Sequence, residues 1–316
     1  MNLPLQLACA AITLACGTSL VPSANAAATR GWPNILLLVS DDQRSDTIAT
    51  LGNPHIRTPY LDRLVRQGVA FTRAICPNPL CVTSRAEILT GCTSFLNGVP
   101  YGGRLRPDMP TIAETFRQAG YHTWHVGKWH VHGEPKTRGY EETRALYSGG
   151  GKFENTLKRD HAGREVTGYR GWTIKTADGK PDLEKGVGLT AEISRHFADA
   201  AIEMLNRRTP EPFFLHVNFT APHDPLIMPP GYAGRYDPAK IPLPPNFLPE
   251  HPFDHGNARG RDELLWPWPR TPQMVREELA CYYAVISHMD GQIGRILNAL
   301  RANSQADNTI IVFTSD

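Results

Sequence analysis

The chain carries no surplus of charge. Its 33 Lys and Arg nearly balance 31 Asp and Glu, for a formal net charge of +2, so nothing points to nucleic acid as a partner. Beyond the N-terminal stretch it has no apolar run long enough to span a bilayer. No internal repeat and no heptad pattern recurs, which excludes solenoids and coiled coils. Cysteine is scarce, with six in 316 residues. What is plentiful is proline and glycine, 27 of each, which suits long ordered loops. A content of 41% hydrophobic and 20% charged residues is that of a globular chain. The length suits one large α/β domain or two small ones.

Residues 1–26 read as a secretory signal peptide. The apolar region Leu5 to Leu20 leads into Pro22-Ser23-Ala24-Asn25-Ala26, a small-x-small cleavage pattern. The n-region has no Lys or Arg. Thr13, not Leu, stands three residues before Cys16, so cleavage after Ala26 is favoured over a lipid anchor. The expectation is an exported protein, periplasmic or secreted, without a membrane span after cleavage. Cys76, Cys81, Cys92 and Cys281 then remain. Exported cysteines can pair, and the sequence does not fix a connectivity.

Apolar runs mark the strands. Asn34-Ile35-Leu36-Leu37-Leu38-Val39 suits a central parallel strand covered on both faces. It ends at Ser40-Asp41-Asp42. Either acid alone would read as a loop or cap residue. Two together, just past the carboxyl end of a buried strand, repel unless a cation lies between them. Oxygen ligands of this type suit Ca²⁺ or Mg²⁺, and open α/β sheets bind ligands at that edge. A short helix is predicted from Thr58-Pro59 to Gly68, and Val69 to Ala74 reads as a strand. Pro110 to Ala119 is a second amphipathic helix. Tyr121 to Val126 is a strand ending in Gly127-Lys128-Trp129-His130. Leu189 to Arg207 reads as a helix. Phe213 to Phe219 is a buried strand, with His216 as a strand histidine and His223 just past its carboxyl end. Gln273 to Asn303 is the longest helix, and Thr309 to Phe313 a last buried strand ending in Thr314-Ser315-Asp316.

Two stretches carry no clear register. Residues 133–188 are polar and Gly-rich, an excursion over the active edge. Pro229 to Pro272 is proline-rich and contains His251, His255, Trp266 and Trp268. A loop of that length is uncommon unless functional, and a surface wrap over the sheet and substrate contact both stand as readings of it.

Cys81-Val82-Thr83-Ser84-Arg85-Ala86-Glu87-Ile88-Leu89-Thr90-Gly91 holds the densest chemistry. Cys81 stands where a loop becomes the first turn of a helix, and Gly91 is a plausible stop. Backbone N–H groups there favour a nucleophilic sulfur or an anionic substrate group. Arg85 lies one turn on, on the same face. Asp41, Asp42, Lys128, His130, His223 and Asp316 all follow apolar strands that read as parallel. One rim would therefore gather carboxylates, a nucleophile and proton carriers, a set suited to attack on a tetrahedral oxyanion ester.

The Cys81 stretch resembles the signature of the type I sulfatases, a Cys or Ser, any residue, Pro, Ser, Arg, then a short helix ending in Thr-Gly. Thr83 stands where that family usually has Pro. Asp41-Asp42, Gly127-Lys128-Trp129-His130, Pro222-His223-Asp224-Pro225 and Phe313-Thr314-Ser315-Asp316 are similar to four further family motifs, in the expected order. The resemblance implies an α/β, alkaline-phosphatase-like fold, a largely parallel central sheet sandwiched between helices, over residues 27–316. It implies hydrolysis of sulfate esters of small molecules or carbohydrates. Cys81 is then oxidised to formylglycine (3-oxoalanine) by a formylglycine-generating enzyme. One hydroxyl of its hydrate attacks sulfur and the other later expels sulfate. By the same resemblance Asp41, Asp42, Asp316 and the modified Cys81 ligate one Ca²⁺. Arg85 and Lys128 hold the hydrate and the sulfate, His130 assists the proton step at the hydrate, and His223 protonates the leaving alcohol. If Cys81 is so used, one disulfide at most can form. Family members continue past the last Asp with Asn or His and a smaller C-terminal subdomain, so the chain reads as the N-terminal part of such a domain. Two rivals stand beside this reading: a phosphodiester or phosphonate monoester hydrolase of the same superfamily, and an inactive truncated product.

Overall fold

A computed structural model describes residues 31–149 and 151–316; the expected signal peptide lies outside them. Six strands form one sheet: β1 (Asn34–Ser40), β2 (His122–Lys128), β3 (Glu142–Ser148), β4 (Thr173–Ile174), β5 (Phe213–Asn218) and β6 (Thr309–Ser315). Their order across the sheet is β4-β3-β2-β5-β1-β6. All neighbours are parallel except the short β4, which runs antiparallel to β3.

Among the described residues six α-helices accompany them: α1 (Pro59–Gln67), α2 (Cys81–Thr90), α3 (Ser94–Asn97), α4 (Ile112–Gln118), α5 (Ile193–Leu205) and α6 (Pro272–Ala302). Successive strand side chains point to opposite faces, and β1 divides accordingly. Leu36 and Leu38 join Phe197, Ala201 and Met204 of α5 and Met289, Ile293 and Ile296 of α6 in one core. Leu37 and Val39 join Ala86 and Leu89 of α2 and Ala113 of α4 in the other. Burying each such aliphatic side chain contributes about 1.5–3 kcal/mol relative to exposure. Two-sided burial explains why β1, β2 and β5 read as nearly continuous apolar runs.

Local signals set several helix ends. Thr111 and Glu114 form a capping box at α4, with Thr111 Oγ1 accepting from Glu114 N and Glu114 Oε2 accepting from Thr111 N. Thr271 Oγ1 accepts from Met274 N at the start of α6. The cap of α1 comes from a distance. Asp290, buried in α6, accepts the N–H groups of Tyr60 and Leu61 at 3.2 and 2.7 Å.

Two sequence expectations need correction. Val69 to Ala74 forms no strand, and Val69, Phe71 and the nearby Ile75 are exposed. Their apolar character matched a strand, but no sheet neighbour among the described residues satisfies that backbone. Thr309–Ser315 is a strand as expected, yet not a buried one. It lies at a sheet edge, paired only with β1, and Ile310 and Val312 are 51% and 42% exposed. Cys76, Cys81, Cys92 and Cys281 are all free thiols. Among the described residues no helix is long and apolar enough to cross a membrane.

Candidate active site

Strand register builds the site. Val39 pairs with Asn218, Gly127 with Asn218, and Ser40 with Ser315. The residues at and just beyond these positions, Asp41, Lys128, Asn218 and Asp316, therefore share one level at the carboxyl edge. Gly127 permits the close approach of β2 to β5. Its φ is +91°, and a Cβ there would fall 2.0 Å from the backbone oxygen of Asn218. Asp42 follows Asp41 in the left-handed region, at φ 59°. That turn separates the two carboxylates, Asp41 inward and fully buried, Asp42 toward solvent.

Cys81 is the first residue of α2, and its preceding residue Leu80 offers no side-chain cap. The helix behind it is embedded: Thr83, Ser84, Arg85, Ala86 and Glu87 are buried. Thr83 is fully buried, and its hydroxyl has no hydrogen-bond partner. Arg85, one turn from Cys81, donates from Nη1 to Asn218 Oδ1 at 2.8 Å. Its Nη2 lies 3.4 Å from Asp41 Oδ1 and its Nε 2.7 Å from Asp316 Oδ2. Lys128 Nζ donates to Asp41 Oδ2 at 2.5 Å and to the Tyr169 hydroxyl at 2.7 Å, and that hydroxyl donates to Asp41 Oδ2 at 2.7 Å. His223 Nε2 stands 3.5 Å from Asp42 Oδ2, while its Nδ1 meets the backbone oxygen of Asp224 at 2.6 Å. Cys81 Sγ is 3.9 Å from Asp42 Oδ1. His130 lies to one side, edge-on to Trp172, with Nδ1 buried and unpaired. Arg85, Lys128, His130 and Asn218 line one small cavity behind the cluster.

Burial by itself would raise the Asp41 carboxyl, but Lys128, Arg85 and His223 outweigh it and hold the group well below the usual carboxylate range. Burial raises Asp42, and raises Asp316 to about 6. Burial, then Lys128 and Arg85, lower His130 to about 3, so its imidazole is neutral at pH 7. Burial and then the Asp41 carboxylate push the Cys81 thiol well above its ordinary value. A helix N-terminus favours a sulfur anion or an anionic substrate group there; burial and then the neighbouring carboxylates oppose the sulfur anion.

The carboxylates of Asp41, Asp42 and Asp316 are oxygen donors of the kind a hard divalent cation takes. Ligand-capable atoms of Asp41, Asp42, Cys81 and His223 lie within 4.8 Å of one another. Asp41 Oδ1 and Asp316 Oδ2 are buried carboxylate oxygens without a hydrogen bond. Arg85 Nε is near the second but is itself without a hydrogen bond. Buried carboxylate oxygens with no partner are costly unless charge or a cation compensates them. Asp316 is not part of the compact four-residue cluster; its Oδ1 accepts from Asp42 N at 3.2 Å, which ties it to the same turn.

The sulfatase family profile matches residues 33–316. The chain belongs to the sulfatase family. An arylsulfatase of Clostridium perfringens is 33% identical over 303 residues, covering 90% of this chain and 62% of that protein. A solved structure in complex with its substrate D-glucosamine-2-N,6-O-disulfate is 25% identical, with a TM-score of 0.67, over 90% of this chain and 65% of that one. The phosphonate monoester hydrolase of Agrobacterium radiobacter superposes with a TM-score of 0.65 at 21% identity, over 90% of this chain and 62% of that one, and so shares the fold. This sulfatase chain thus spans about three-fifths of the relatives it matches. Its fold is the expected alkaline-phosphatase-like α/β arrangement.

Sequence reasoning named Asp41, Asp42, Cys81, Arg85, Lys128, His130, His223 and Asp316, and these surround one edge of the sheet. It missed Tyr169 and Asn218. Asn218 carried a signal, a polar residue at the carboxyl end of an apolar strand. Tyr169 carried none, because it enters from a loop 128 residues beyond Asp41.

Proposed function

We propose that this chain hydrolyses sulfate esters, with sulfated carbohydrates as the substrate class, using a formylglycine derived from Cys81 and one Ca²⁺. The observation that carries the reading is the convergence of Asp41, Asp42, Cys81 and His223 within 4.8 Å, in a chain of the sulfatase family. When present, the aldehyde hydrate at Cys81 supplies a hydroxyl nucleophile, and the cation supplies a Lewis acid that neutralises charge on oxygen.

Asp41, Asp42 and Asp316 would hold the cation; their oxygens are of the right hardness. Arg85 is fixed by Asn218 and flanked by two carboxylates. It places a permanent positive charge one helical turn from Cys81 and so orients an anionic group bound there. Lys128, equally buried, adds a second charge on the side of Asp41. His130, its imidazole neutral, stands beside the cluster edge-on to Trp172 and would assist the proton step at the hydrate. His223 is more open to solvent than Asp41, with Nε2 facing Asp42 and Nδ1 tied to Asp224. It is positioned to give a proton to the departing alcohol. Export, with signal cleavage after Ala26, belongs to the same proposal.

Turnover of an aryl sulfate tests the proposal, in protein co-produced with a formylglycine-generating enzyme. Turnover that vanishes in Cys81→Ala is the expected result. The fold shared with a phosphonate monoester hydrolase favours neither sulfuryl nor phosphoryl transfer. An aryl phosphate diester hydrolysed faster than the aryl sulfate would replace this reading with that one.

A further inference from the structure

The proline-rich segment before α6 holds a second group of metal-ligating side chains. Ligand-capable atoms of His251, His255 and Glu263 lie within 4.8 Å of one another. The imidazoles of His251 and His255 meet edge to face with centroids 4.3 Å apart. His251 Nε2 is 3.4 Å from Glu263 Oε2. His255 Nε2 is buried and has no hydrogen-bond partner. Arg270 Nη2 donates to Glu263 Oε2 at 2.8 Å and to the Glu263 backbone oxygen at 3.1 Å. Its guanidinium lies 3.9 Å over the Trp268 ring, which also touches His251 at 5.1 Å.

We infer that His251, His255 and Glu263 bind a borderline divalent cation, Zn²⁺ being the natural choice, in a structural site separate from the catalytic edge. Two imidazoles and one carboxylate select Zn²⁺ over Ca²⁺ or Mg²⁺, which require oxygen ligands. With Zn–N and Zn–O bonds of about 2.0–2.2 Å, tetrahedral geometry places donor atoms roughly 3.3–3.5 Å apart. The His251–Glu263 spacing already has that value, and all three donors lie within 4.8 Å of one another. Arg270 then acts as the outer partner that orients the ligating carboxylate. Three protein ligands leave a fourth position for water.

The segment has reason to need such a clip. Between Pro249 and Arg270, joined by a backbone bond of 2.9 Å, it contains no helix or strand. Yet from within it Arg261 grips Asp224 through two bonds of 2.8 and 3.2 Å, and Asp224 touches His223. Metal binding at His251, His255 and Glu263 would fix the loop that positions this arginine.

The catalytic cluster also offers His and Cys to zinc, so the test uses a Cys81→Ala, His223→Ala background. Zinc alone is titrated into the full chain against a chromophoric chelator, and Co²⁺ is used as a spectroscopic substitute. One Zn²⁺ per chain is expected, with Co²⁺ showing the intense visible bands of tetrahedral coordination. Adding His255→Ala should weaken zinc binding at least about 100-fold, more than losing an outer-sphere partner does. Replacing His255→Cys, which keeps a zinc ligand, should restore it and separate ligation from packing. No zinc bound by the background protein, or unchanged stoichiometry and affinity in His251→Ala/His255→Ala, would overturn the inference.

Discussion

Replacing Gly127 with alanine tests how the sheet sets the level of the catalytic edge. Two costs add. The backbone at φ +91° disfavours any L side chain, by about 1–2 kcal/mol. The new Cβ would also lie 2.0 Å from the backbone oxygen of Asn218, where ordinary contact begins at 3.4 Å. Backbone cannot swing aside as a long side chain can, so β2 and β5 must part locally by more than about 1 Å. That weakens roughly two interstrand hydrogen bonds, each worth about 1 kcal/mol net. Gly127→Ala should therefore cost about 3–4 kcal/mol. Gly163→Ala is the control. Its φ is +79° with nothing within 4 Å of the added Cβ, so only the first cost applies. Urea unfolding followed by far-UV circular dichroism reads both as midpoint shifts at constant slope. A Gly127→Ala protein no less stable than Gly163→Ala would refute the steric argument and, with it, the claim that this glycine permits the close approach of β2 to β5.

Three further outcomes follow. Tyr169→Phe removes the hydroxyl that donates to Asp41 and accepts from Lys128; stability should fall by about 1–3 kcal/mol, seen in the same unfolding assay, and aryl sulfate turnover should fall with it. Chelating Ca²⁺ should lower Tm, because an ion at about 100 times its Kd stabilises the native state by roughly 2.7 kcal/mol; Asp42→Asn should abolish that calorimetric shift. Asp290, raised by burial from 3.8 to about 6, binds its proton more tightly in the folded chain. Its contribution to stability is complete below pH 3.8 and is lost as pH rises to about 6, on the order of 2–3 kcal/mol in all. Asp290→Asn should flatten the stability profile across that window, and an unchanged slope would exclude Asp290 as its source.

The strands that carry the site were legible because burial on both faces leaves an unbroken apolar run, as in Leu36 to Val39 and Phe213 to Val217. Their polar ends then stood out, which is how Asp41, Lys128 and Asp316 were found. β3 escaped notice since it is only half buried and mixes Glu142, Thr143 and Arg144 with Leu146 and Tyr147. Val69 to Ala74 misled for the opposite reason: strand-forming residues were present, and a pairing partner was not. Tyr169 was invisible because a loop side chain reaching Asp41 leaves no periodic trace. The helix position of Cys81 says nothing of what packs against the sulfur: burial, and then the Asp41 carboxylate from another element, raise its thiol.

Oxidation of Cys81 is the central claim, because the proposed nucleophile is a hydroxyl of the aldehyde hydrate and not the thiol. Mass spectrometry of the peptide containing Cys81, from protein co-produced with a formylglycine-generating enzyme, tests it directly. The account predicts the aldehyde residue at position 81, in proportion to aryl sulfate turnover across preparations. Unmodified cysteine in a preparation that nevertheless hydrolyses the ester would contradict it.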